Sequence, residues 1–100
     1  TKPHAGFDIL RRWCTEAGRT HFVFTSNVDG HFQRSGFSDD SVYEVHGSIH
    51  HMQCVESCGV GILSADPFEV HVDHETMRAT KPLPQCPKCG CLLRPNILMF

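Results

Sequence analysis

The sequence predicts an α/β chain carrying a small metal-stapled module. Three observations support this: an amphipathic helix running into a short strand and a polar loop, a second strand that ends on a histidine, and two close-spaced cysteine pairs. At 100 residues the chain is short enough that a single core buries only part of its apolar surface, so a metal staple would help it fold.

The elements follow in order. His4 to Ala17 reads as a helix, with Phe7, Leu10, Trp13 and Cys14 at helical spacing and Gly18 as its stop. Arg11, Arg12 and Glu16 would face water, Cys14 would be a buried thiol, and Trp13 and the phenylalanines from Phe7 to Phe37 would form the core. His21-Phe22-Val23-Phe24-Thr25 reads as a short buried strand that ends at the polar loop Ser26-Asn27-Val28-Asp29-Gly30. Gly30 to Gly36 reads as a short helix and turn, and Val42-Tyr43-Glu44-Val45 as a second strand delivering His46. Ligands of open α/β sheets bind beyond the carboxyl ends of the strands, so both polar loops are expected on one rim.

Cys54-Val-Glu-Ser-Cys58 and Cys86-Pro-Lys-Cys89 are separated by 27 residues. Four thiolates so grouped suit a closed tetrahedral zinc site, which folds a module but leaves no open position for activating water. Pairing of this kind fits a reducing compartment better than a secreted disulfide framework. The stretch from Gly59 to Gln85 reads as irregular, with one short strand over Glu69–Val72, and Ile97-Leu98-Met99-Phe100 reads as a buried strand. His50-His51 and His71-x-x-His74 are read as surface histidines rather than a second metal site.

Nine basic and eleven acidic side chains give a formal charge of −2, which excludes a broad cationic footprint for nucleic acid. No apolar run approaches the roughly 20 residues that span a bilayer, and Thr1-Lys2-Pro3-His4 has no signal-peptide pattern. A soluble, intracellular protein is expected. The start without methionine and the apolar run at the other end predict a fragment of a longer chain.

These residues resemble the sirtuins, NAD-dependent protein deacylases, over most of the chain. Thr25-Ser26-Asn27-Val28-Asp29-Gly30 with Gln33-Arg34-Ser35-Gly36 is similar to the family's T-Q-N-I-D-G-L-H-Q-R-A-G stretch, and Glu44-Val45-His46-Gly47-Ser48 to its E-x-H-G-S segment. Cys86-Pro87-Lys88-Cys89-Gly90 running into Leu93-Arg94-Pro95 is similar to its C-P-x-C-G-G-x-L-R-P. The resemblance implies a partial Rossmann-like, sirtuin-type fold, with 1–47 in the NAD-binding domain, 48–93 as the zinc module and 94–100 as a strand returning to the large domain. It also implies NAD and zinc as cofactors and an acyl-lysine protein or peptide as substrate. His46 would be the general base, and Ser26, Asn27, Asp29 and Gln33 would line the cofactor, Asp29 at the nicotinamide carboxamide. Ile97, Leu98 and Phe100 would contact the acyl-lysine, and Cys54, Cys58, Cys86 and Cys89 would hold zinc.

Asn and Asp before glycine form turns routinely, and a lone histidine is more often structural than catalytic. It is the combination of three motifs in order that makes the functional reading the stronger one. Departures are specific: Ser26 stands for a glutamine, His31-Phe32 for leucine-histidine, and Cys91 for a glycine, an alternative zinc ligand over which Cys89 is favoured. The family's glycine-rich phosphate loop is not in this sequence, so the isolated chain is expected to be inactive. Two other classes of function stay open: an NAD glycohydrolase or ADP-ribosyltransferase of similar architecture, and a zinc-ribbon interaction module without chemistry.

Overall fold

A computed structural model describes residues 1–100. The chain forms two compact units, Thr1–Ser48 and Ile49–Phe100. No helix is long and apolar enough to cross a membrane.

The first unit opens with helix α1, Ala5–Glu16. His4 caps it, its Nδ1 accepting from the Gly6 N–H at 3.1 Å, and Gly18, at φ +57°, ends it in the left-handed region that favours glycine. Strands β1 (Val23–Thr25) and β2 (Val42–Glu44) pair in parallel, Val23 opposite Val42 and Thr25 opposite Glu44. The crossover between them contains helix α2, His31–Arg34, and a 3-10 turn over Asp39–Ser41.

The core of this unit is aromatic. Phe7 packs edge-on against Phe32 with ring centroids 4.9 Å apart, Phe32 against Phe37 at 5.3 Å, and Phe37 against His21 at 5.7 Å. Phe7 and Phe37 are the buried members. Phe7→Ala is expected to cost about 3–5 kcal/mol, the usual range for deleting a buried phenylalanine. Chemical denaturation of the whole protein would show this as a lower midpoint, and a midpoint within error of wild type would refute the placement of the core.

Two expectations about this core are corrected. Trp13 is 66% exposed and Leu10 is also exposed, the ring-to-ring contacts of α2 with α1 being made at Phe7; Cys14 is half-buried rather than buried. The β1 strand is half-buried, not fully buried. Val23 and Thr25 face inward, while Phe24 turns out at 68% exposure and stacks edge-on with exposed Tyr43 across the pair at 5.5 Å; Phe22, just before the strand, is 64% exposed. Alternating side chains of a two-stranded sheet point to opposite faces, and an apolar sequence does not override that period.

Five strands follow: β3 (Gly47–Cys54), β4 (Leu63–Ser64), β5 (Val72–Asp73), β6 (Arg78–Ala79) and β7 (Leu93–Ile97). The sheet order β4-β3-β7 builds the second unit, with Met52 opposite Leu63 in the antiparallel β3–β4 pair. Gln53 of β3, its amide turned so that the oxygen faces Arg94 of β7, accepts from both terminal guanidinium nitrogens at 2.7 and 3.2 Å. The buried cluster is Met52, Cys54, Cys86 and Leu93, with Leu63, Phe68 and Cys91 packed against it. A core of this size leaves a unit of some 50 residues marginal without reinforcement.

Sequence reading placed strands at Glu69–Val72 and 94–100. The first is Val72–Asp73, paired with β6; the second is Leu93–Ile97, with Leu98, Met99 and Phe100 exposed beyond it. The β5–β6 turn is held by Asp73, whose Oδ1 accepts from the Glu75 and Thr76 N–H groups at 2.8 and 3.1 Å. Those amides hold the Asp73 carboxyl below the usual aspartate value of 3.8. A carboxyl depressed by folding stabilises the turn above its unfolded value, and that contribution is lost as pH falls through the folded one. The Glu75 and Thr76 amide resonances are therefore expected to shift together as the pH drops below 3.8, and Asp73→Ala should abolish the titration; a titration surviving in that variant would sink the assignment.

Candidate active-site rim and metal centre

Parallel pairing of β1 and β2 makes both strands end at the same edge. The ladder runs one bond further, the Val45 N–H donating to the Thr25 carbonyl at 3.0 Å. Beyond this bond the two chains part. The first becomes the Ser26–Gly30 loop, opened by the Asn27 N–H donating to Thr25 Oγ1 at 3.1 Å. The second becomes the Val45-His46 turn, where Gly47 at φ +83° lets the backbone enter β3 at once. An L-residue at 47 would be strained there, so the glycine fixes where the half-buried His46 sits.

Ser26 and Asn27 are exposed, while Asp29, Gln33 and His46 are half-buried. Gly30, at φ +68°, turns the loop into α2. Asp29 braces that turn, its Oδ1 accepting from the His31 N–H at 3.0 Å while Oδ2 lies 3.4 Å from His31 Nδ1. Gln33 differs from its neighbours: its side-chain oxygen is buried and accepts no hydrogen bond. A buried acceptor without a donor is costly, and a hydroxyl-bearing ligand is the kind of group that would supply one. The rim thus offers a carboxylate and an amide oxygen as acceptors, with the His46 imidazole at the same strand edge, a set that suits a polar, hydroxyl-bearing ligand.

The second unit gathers the cysteines. The sulfurs of Cys54, Cys58, Cys86 and Cys89 all lie within 4.8 Å of one another, with Cys54 to Cys89 at 3.5 Å and Cys58 to Cys86 at 3.6 Å. Tetrahedral zinc with bonds of about 2.3 Å places its sulfurs about 3.8 Å apart, so the four thiols fit the ion closely. Cys91 stands outside this group; its carbonyl instead accepts from the Cys86 N–H at 2.7 Å, closing the knuckle. Burial opposes ionisation of Cys86, yet hydrogen bonds from the Cys89 and Lys88 backbones and from the Cys58 and Cys89 thiols lower its thiol to about 7. Cys58 moves the other way, chiefly through burial. Cys89 also rises, because contacts with Cys54, Cys58 and Cys86 and partial burial outweigh the Cys91 backbone bond that favours its thiolate.

Ile97 is the last residue of β7, its carbonyl accepting from Arg94 Nη1 at 3.1 Å; Leu98 and Phe100 follow it on the surface of the second unit.

The Sir2 family model matches residues 1–100, the whole sequence. The chain belongs to the Sir2 family. An NAD-dependent protein deacylase of Aquifex aeolicus is 36% identical over 103 residues, covering 99% of this chain and 36% of that protein. A solved Sir2 homolog–NAD complex superimposes with a TM-score of 0.72 at 28% identity, covering 99% of this chain and 33% of that one. A structure of Sir2 with p53 peptide and NAD+ gives 0.69 at 29% identity, covering 100% and 37%. The chain spans about a third of the length of the proteins it matches. This Sir2-family segment has the α/β fold and the clustered cysteines that its sequence predicted.

His31 was missed as a functional candidate. Its signal was present in the sequence, as an ionisable residue where the family stretch has leucine, two positions after Asp29.

Proposed function

We propose that this segment carries the general base, part of the NAD rim and the zinc module of an NAD-dependent protein deacylase. The observation that carries the reading is the parallel β1–β2 pair, whose shared edge bears both the Ser26–Gly30 loop and His46. When bound, NAD would supply an electrophilic ribose carbon, to which the acyl oxygen of a modified lysine would bond as the bond to nicotinamide breaks. His46 would accept a ribose hydroxyl proton, a task for which an imidazole ring nitrogen is suited. Asp29 would accept from the nicotinamide carboxamide, Asn27 would lie beside the ribose, Gln33 would offer its orphan oxygen to a hydroxyl, and Ser26, short for its position, would contribute little reach. Ile97, Leu98 and Phe100 form the start of the acyl-lysine strand. Cys54, Cys58, Cys86 and Cys89 hold a structural zinc, in a compartment reducing enough to keep them as thiols.

The test is nicotinamide release from NAD by the full-length protein, with and without an acetyl-lysine peptide. Release that requires the peptide supports the deacylase reading. Release that ignores it would assign the protein to the glycohydrolase or ADP-ribosyltransferase class, and no release from folded, zinc-loaded protein would leave an interaction module.

A further inference from the structure

His31 addresses both oxygens of one carboxylate. Its main-chain N–H donates to Asp29 Oδ1 at 3.0 Å, and its ring nitrogen Nδ1 stands 3.4 Å from Oδ2. This is not a solvent-facing ring that happens to lie nearby: the side chain is 13% exposed, and Phe7 packs against it edge-on at 5.6 Å and 84°. The approach is attractive when Nδ1 carries the ring proton and repulsive when it presents its lone pair, so the Nδ1–H form is the one that suits this geometry. The leucine that the family stretch carries at this point offers the same backbone N–H and no side-chain donor.

We infer that His31 is a positioning residue of this protein, its Nδ1–H holding the Asp29 carboxylate in one rotamer for the carboxamide of NAD. The inference rests on the role proposed above for Asp29 and adds what sets its orientation. A carboxylate turns broadly about its last torsion, and a ligand that must freeze this rotation binds more weakly than one that meets it already fixed. The imidazole can act this way because Phe7 in turn fixes its own plane. Removing the ring is therefore expected to weaken NAD about fivefold to tenfold, the scale of one immobilised side chain.

The experiment uses the full-length protein labelled with nitrogen-15 at histidine, the His31 signals being assigned by their loss in His31→Asn. The expected result is a protonated Nδ1 at neutral pH whose resonance moves in Asp29→Ala. Calorimetric NAD affinity should fall by the stated factor in His31→Leu and recover in His31→Asn, whose amide nitrogen stands near the position of Nδ1. In steady state the loss should fall on the KM for NAD, with kcat held. An unprotonated Nδ1, a resonance indifferent to Asp29→Ala, or equal NAD affinity in His31→Leu and wild type would each overturn the inference. If His31→Leu fails to fold by circular dichroism, the Asp29→Ala and His31→Asn comparisons decide the matter alone. Failure of the deacylase reading looks different: nicotinamide release would ignore the peptide while the nitrogen signals and NAD affinities still followed His31.

Discussion

Replacing His46 with alanine is expected to lower peptide-dependent nicotinamide release by about 10²–10⁴-fold, the usual contribution of a positioned general base. His46 lies in the turn between β2 and β3, with its backbone set by Gly47, so removing the imidazole should leave the fold intact. NAD affinity measured by calorimetry should stay near wild type, because the carboxamide and ribose contacts are assigned to the Ser26–Gly30 loop and Gln33. A variant that releases nicotinamide at the wild-type rate would remove His46 from the mechanism. One that loses NAD binding to the same degree as turnover would make it a binding residue instead.

Removing the metal should have the larger structural effect. Structural zinc contributes about 10–16 kcal/mol of apparent binding free energy to small zinc-folded peptides, more than a domain of this size has to spare. Two of the four buried residues in the second unit, Cys54 and Cys86, are themselves candidate ligands. Chelation, or Cys86→Ala, is therefore expected to unfold Ile49–Phe100, seen as loss of amide protection at Met52 and Leu93 together with loss of one zinc per chain. The same change at Cys91 should leave the zinc content at one, since its sulfur lies outside the group. Protection at Met52 and Leu93 that survives a chelator would show that the apolar contacts suffice without the ion.

Much of the first unit was legible because its signals are local. The His4 cap, the helical spacing through Phe7, and Gly18 mark α1, and the Asp29-Gly30 turn announces α2. Trp13 was misread because a hydrophobic stripe tells which face is apolar, not how far its partner covers it, and here Phe7 is buried while Trp13 stays exposed. β3 escaped notice although it is the longest strand. Ser48, Met52 and Cys54 are its buried positions, but Ser48 and the exposed His50 put polar residues in the phase of Met52 and Cys54 while Ile49 puts an apolar one in the other, which erases the contrast on which the two-residue period is read. At the site, the cysteine spacing disclosed the cluster, whereas the orphan oxygen of Gln33 and the grip of His31 on Asp29 depend on distances that no motif encodes.

The small inner face of the second unit has a further consequence. Where thiols supply half of the buried interior, folding becomes a binding isotherm, and its natural midpoint is a free-metal concentration rather than a temperature. Above saturation each tenfold dilution of free zinc removes about 1.4 kcal/mol of stability. This half of the molecule should thus register the metal supply of its surroundings, while the aromatic half, built without a ligand, should not.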